Sequence, residues 1–225
     1  MRMGLIPLES GDRLSRKEFE YLYEQCPHIK KAELINGVVF VASPIRVKQH
    51  AQPHGHIIVW LGTYASFIDN CMVCDNATVR LDDKNEVQPD VLLRLEESMG
   101  GQSRISADDY IEGAPELIVE IASSSASYDL HDKKELYCRC GVKEYLVWVV
   151  PEQNFHWYQL VHQTYIVQTP DSEGILRSRE FGGLWLNLPA LLKGDMSLVL
   201  STLQAGLNSF EYREFTQRSL GKHES

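Results

Sequence analysis

In an almost wholly apolar run, Leu117–Ala122 (LIVEIA), stands one acid, Glu120. Such a run belongs to a strand covered on both faces. A carboxylate there is costly to desolvate, so Glu120 must be neutralised, paired or bound to a metal. A second acid, Asp90, follows Pro89 in VQPDVLL. Strand alternation puts Gln88, Asp90 and Leu92 on one face, and Pro89, which has no N–H to donate, marks an edge or a bulge. At such an irregularity a side chain can be re-aimed. The third group is a lysine. On a wheel of about 100° per residue, Leu130, Leu136, Tyr137 and Cys140 define the apolar face of a helix over 129–140, and Lys133 falls at its centre. Lys134 lies about 100° away and is expected in solvent. An ammonium facing inward needs an anion, and the nearest buried one in sequence is Glu120. Spacing alone leaves two readings open: a structural Lys–Glu pair with a snorkelling stem, or a functional one.

Other candidates carry weaker signals. Glu33 lies on the first strand of a hairpin, where exposure and a role at the site are equally compatible with the pattern. His50, His54 and His56 crowd the start of a helix. Two-residue spacing keeps His54 and His56 off a common face, so a three-histidine metal site is poor geometry, which leaves a solvated His or a single His touching a phosphate or another acid. The five cysteines include Cys71 and Cys74, whose side chains diverge on a strand, as those of Cys138 and Cys140 do on a helix. Small buried hydrophobes and free thiols are the expectation.

These groups need elements to hold them. Pro115–Pro151 reads as strand, Ser-rich turn at 123–127, helix capped near Gly141, and strand at 145–150, which makes a βαβ unit. Upstream, Ser15 and Glu18 form a capping-box pattern, and Asn36-Gly37 between apolar runs signals a hairpin. A polar loop at 46–53 precedes a helix at 54–69. Residues 71–81 read as one strand, 82–86 as a charged turn, 87–94 as another strand, and 96–113 as a loop with a short helical turn at 106–110. Short strands after Pro151 suggest an antiparallel meander extending the sheet, closed by 186–192. The domain reading is an arm at 1–14, one domain at 15–200, and a polar tail at 201–225 that frays beyond Gly206.

Composition narrows the class. At 225 residues, 44% hydrophobic and 24% charged, the chain suits one soluble domain with a real core. No run is long enough to span a bilayer and no signal-peptide pattern opens the chain, so a cytoplasmic location is expected. A net charge of −9 argues against binding nucleic acid through overall basicity, although a divalent ion and local cations can override the mean. Glycine-rich nucleotide loops and the GxSxG elbow are missing, which removes support for those enzyme classes.

The ordered series resembles a known group. Glu33-Leu34-Ile35-Asn36-Gly37, Ser43-Pro44, His54-Gly55, Pro89-Asp90-Val91 and Glu112-Gly113-Ala114-Pro115 match, as do Leu117-Ile118-Val119-Glu120-Ile121, Ser125, Asp129, Lys133, Tyr137, Gly141-Val142 and Glu144-Tyr145. Over roughly residues 15–195 the chain resembles the Uma-type restriction endonuclease family, within the PD-(D/E)xK nuclease-like superfamily. The resemblance implies an α/β (α+β) fold: a restriction-endonuclease-like mixed β-sheet core in the order αβββαβ, with an N-terminal helix and hairpin and C-terminal antiparallel strands. It further implies an endonuclease in which Asp90 and Glu120 hold Mg²⁺ or Mn²⁺ and Lys133 assists the attacking water, with Glu33 and His54 in support. The usual third residue lies two beyond the glutamate, where this chain has Ala122; the family pattern supplies Lys133 from the helix instead. Nucleic acid, DNA first, is the implied substrate, and a homodimer the implied assembly. Two alternatives stand beside this: an inactive binding module on the same fold, and a hydrolase using Asp90 and Glu120 as acid and base without metal.

Overall fold

The structure is a computed structural model that describes residues 8–123 and 125–220. Residues 1–7 of the arm, Ser124 of the Ser-rich turn and residues 221–225 of the tail lie outside the described residues. Helix α1 (Arg16–Glu24) opens on the expected capping box, with Ser15 Oγ accepting from the Glu18 N–H and Glu18 returning to the Ser15 N–H. Strands β1 (Ala32–Ile35) and β2 (Val38–Val41) form the predicted hairpin. Its turn puts Asn36 at φ 51° and Gly37 at φ 76°, which the Asn-Gly pair tolerates. Leu8 packs beside Phe19, Leu34 and Val39, and Leu14 N–H bonds the Gly37 carbonyl, so the chain from Leu8 on is tied to the hairpin.

The segment read as a polar loop is instead a π turn, Val47–Ala51, running straight into α2 (Gln52–Ala65). Two further readings are corrected here. Residues 71–81 are two strands, β3 (Cys71–Asp75) and β4 (Val79–Asp82), and residues 87–94 divide between β5 (Asn85–Val87) and β6 (Val91–Leu95). Members of each pair lie in different sheets. Pro89 explains the second break, because it cannot donate to a ladder; Asn76, at φ 50°, marks the first. Asn85 and Glu86, read as part of a charged turn, are buried strand residues. The 106–110 segment is a reverse turn joining β7 (Arg104–Ile105) to β8 (Ile111–Glu112), not a helical turn.

The βαβ unit follows as β9 (Leu117–Ala122), α3 (Ala126–Tyr128), a π turn at Asp129–Lys133, α4 (Lys134–Cys140) and β10 (Glu144–Val149). Gly141 caps α4 at φ 89°, and β10 lies parallel to β9. Then come β11 (Asn154–Val161) and β12 (Thr164–Val167), which extend the sheet as expected. β13 (Ile175–Arg177) leaves it and pairs with β14 (Trp185–Asn187). Helices α5 (Leu188–Lys193), α6 (Met196–Leu207) and α7 (Phe210–Leu220) finish the chain. Among the described residues beyond Gly206 the expected fraying gives way to packing: Tyr212 and Phe215 of α7 lie against the main core, and Tyr212 donates to the Phe67 carbonyl at 2.8 Å.

One sheet runs β12-β11-β10-β9-β6-β3 and the other β2-β1-β5-β4-β8-β7. The first supplies the expected αβββαβ order as α2, β3, β6, β9, α4 and β10; the second sheet takes β1 and β2 from ahead of α2 and inserts β4, β5, β7 and β8 between β3 and β9. Helix α2 covers one face with Ile57, Trp60, Leu61 and Tyr64 against Val119 and Ile121. The opposite face, with Leu92, Ile118 and Ala122, meets α4 and the second sheet. Three residues, Gln88–Asp90, carry the chain from β5 in one sheet to β6 in the other.

Candidate active site

The inter-sheet link sets the position of Asp90. β6 and β9 are antiparallel with Val91 opposite Val119. Asp90, just ahead of β6, accepts the Ile121 N–H next to Glu120, and its charge adds to the burial that raises the Glu120 carboxyl. Cross-strand neighbours share a face. That face is the one turned toward α4 and the second sheet, where Leu92 and Ile118 lie. The two acids therefore stand on the same side of the sheet. Glu33 approaches from the other sheet, and Lys133 from the π turn ahead of α4.

The buried charges are densely bonded. Lys133 Nζ donates to Glu120 Oε1 at 2.9 Å and reaches Glu33 Oε2 at 2.8 Å, with Asp129 Oδ1 3.8 Å away. Tyr137 OH adds a bond to the same Glu120 oxygen at 3.0 Å. Glu33 Oε1 also accepts the Gln88 N–H at 2.8 Å, which pins the backbone entering Pro89-Asp90. Asp90 Oδ2 accepts the Ile121 N–H at 2.8 Å and a bond from His50 Nε2 at 3.1 Å; its Oδ1 accepts from Lys31 at 2.8 Å. His54 meets the Asp90 backbone carbonyl at 2.9 Å and the Asp75 carboxylate at 3.2 Å, so it bears on the acid's main chain. His56 stays apart, facing Gly194, and the three histidines do not converge.

Electrostatics follow from burial and imbalance. Four carboxyl groups (Glu33, Asp90, Glu120, Asp129) face two ammonium groups (Lys31, Lys133), an excess of two negative charges if all are ionised. Burial pushes the Glu120 carboxyl up to about 8; Lys133 opposes this, while Asp90, Asp129 and Glu33 reinforce it. Against its own burial, Asp90 is held well below the usual carboxylate range by the His50 bond and the Lys31 charge. Burial would lower Lys133, but Glu120, Glu33 and Asp129 raise it well above the ordinary lysine value. A proton held by Glu120 partly relieves the surplus, and a divalent cation would relieve more of it.

The donor set fits such an ion. Asp90 and Glu120 present hard oxygens, the type that Mg²⁺ and Mn²⁺ take. Among the described residues no three His, Cys, Asp or Glu side chains gather as a ready cage. Mg²⁺ does not require one, since one or two carboxylates with waters and substrate phosphate suffice. Cys71 packs with the α2 side of the sheet and Cys74 with the other, as alternation requires, and both thiols are raised by burial.

Sequence reasoning passed over Lys31 and Asn76 and did not connect His50 with Asp90. Lys31 stands two residues before Glu33, and its carbonyl accepts the Ala42 N–H, continuing the hairpin ladder. Period-two spacing therefore puts Lys31 and Glu33 on one face, a signal the sequence did contain.

The Uma2 family, described as "Putative restriction endonuclease", matches residues 18–189. Among solved structures, that of "a putative nuclease belonging to DUF820" from Anabaena variabilis superposes with a TM-score of 0.51 at 12% identity, covering 76% of this chain and 90% of that one. At that identity the likeness speaks for the fold. No curated protein matches.

Proposed function

The chain belongs to the Uma2 family, and from that premise we propose that it is a divalent-metal-dependent phosphodiesterase, an endonuclease with DNA as the expected substrate. Asp90 and Glu120 are the proposed ligands for Mg²⁺ or Mn²⁺. The observation that carries the reading is the pairing of these two acids on one sheet face within a buried cluster that holds excess negative charge. A divalent ion held there supplies Lewis acidity toward a phosphoryl oxygen and an attacking water.

The chain's own residues do the rest. Lys133 keeps its protons, so it acts through charge and hydrogen bonding and not as a base. Its bonds to Glu120 and Glu33 fix both carboxylates, and its charge offsets that developing on phosphorus. Tyr137 orients Glu120, while Glu33 and His54 hold the backbone on either side of Pro89. Asp90→Ala should lose roughly two or more orders of magnitude in cleavage and still unfold in one cooperative transition, at a melting temperature lowered because the buried Ile121 N–H loses its acceptor. Titration calorimetry with Mn²⁺ should give heat in the wild type and none in Asp90→Ala.

The reading also expects a homodimer, which supplies two sites for two strands; sedimentation velocity checks the mass. A second reading, a binding module on the same fold, is favoured by the complete pairing of Lys133 among carboxylates. Absence of Mn²⁺ heat together with nucleic-acid binding that ignores EDTA would decide for it.

A further inference from the structure

The acid cluster is served by two ammonium groups in unlike settings. Lys133 is enclosed: its side chain is 4% exposed and Glu120 and Glu33 hold it, with Asp129 close by. The Lys31 side chain is 19% exposed and has one carboxylate partner, Asp90, plus the Asn76 amide oxygen at 3.0 Å. Around Lys31 lies the rim of the site, where Asp75 is 62% exposed and linked to both His54 and Asn76. Asn76 sits at φ 50°, its N–H on the Asp90 carbonyl, so the Lys31 perch is fixed to the same backbone that carries Asp90.

The oxygens of Asp90 are also unequal. Oδ2 already accepts two bonds, from Ile121 N–H and from His50, which fill its lone pairs. Oδ1 keeps one lone pair beside the Lys31 bond, so a cation joining Asp90 would share that oxygen with Lys31. Two cations on one oxygen repel, and the one on a flexible four-carbon stem at the rim is free to leave. Resting on the nuclease reading above, we propose that Lys31 is the substrate-facing cation of this site. Its ammonium neutralises Asp90 Oδ1 until a divalent ion binds, then turns outward to pair with a phosphate oxygen of the nucleic acid.

The test uses the full chain with Lys31→Met, which keeps the stem and removes the charge. Asp90 retains His50 and the Ile121 N–H, so the variant should melt as a folded protein. Mn²⁺ affinity by calorimetry should rise roughly tenfold, because the competing cation is gone. Binding of a fluorescein-labelled DNA duplex in Ca²⁺ should weaken, and the slope of log K against log salt should become shallower by about 0.9, the mark of one lost phosphate contact. A structural lysine would leave that slope alone. An unchanged slope, or an Mn²⁺ affinity that is unchanged or weaker, overturns the inference while leaving the nuclease reading intact. Failure of the wild type itself to bind Mn²⁺ removes both. If Lys31→Met does not fold, Lys31→Gln is measured the same way; if neither folds, the ammonium is structural and the inference falls.

Discussion

Lys133 is worth most to the fold as the positive centre of a buried group of acids. Its removal leaves Glu33 and Glu120 without that counter-charge in a buried cluster. Lys133→Met should therefore cost about 3–5 kcal/mol of unfolding free energy, measured by urea denaturation. Adding Glu33→Gln to that variant should recover part of the loss, since the amide oxygen can keep the Gln88 bond without an orphaned charge. A double variant no more stable than Lys133→Met would mean that the lysine contributes by packing alone. The inward aim of Lys133 was legible from a helical wheel although the residue lies in a π turn, because Leu136 and Tyr137 just beyond fix the buried face. Asp90 and Glu120 were legible as a proline-linked acid and an acid in an apolar strand. Lys31 shares period-two spacing with Glu33, but the residue before a strand looks like any solvated lysine until the hairpin ladder is seen to include it.

Elements show a similar division. The βαβ unit, the hairpin and the capping box each rest on local signals, and the structure has all three. The rest of the second sheet does not: β4, β5, β7 and β8 are two to four residues long, too short for periodicity to separate them from turns. What divides the sheets is Pro89, whose effect is visible only once both partners of the ladder are known. Strand β10 carries an element-scale prediction of its own. Glu144 is fully buried beside β9 and β11 and organises the segment before β14, accepting the N–H groups of Arg179 and Glu180 and pairing with Ser178 Oγ at 2.7 Å. Burial pushes its carboxyl from 4.5 up to about 7, against the pull of those bonds. The folded state then holds a proton that the unfolded chain has lost, so this group's contribution to stability falls as pH rises from 4.5 to about 7 and is level above. Glu144→Gln mimics the protonated acid, with its amide oxygen on the two N–H groups and its NH₂ on Ser178. The variant should gain roughly 2–3 kcal/mol on the wild type between the ends of that window. Urea midpoints that run parallel for the two proteins would show Glu144 ionised within the fold.

At the scale of the molecule, the site lies where two sheets meet, and its acids come from both of them. The chain as a whole carries −9, and part of that surplus is concentrated in the cluster, where on the proposed function a phosphate would arrive. A polyanion is therefore repelled at long range and again at contact. Lys31 alone cannot reverse this while it is spent on Asp90. The proposed function thus requires the divalent ion for association as well as for chemistry. In EDTA, fluorescence anisotropy of a labelled DNA duplex should stay flat. Ca²⁺, which takes the same oxygen donors, should restore binding by roughly a hundredfold or more. Asp90→Asn keeps the side chain's shape and removes the charge that attracts the ion, so its binding should no longer respond to Ca²⁺. Equal affinity with and without the ion would mean that the acids serve the fold alone and that nucleic acid, if bound, is held elsewhere on the surface.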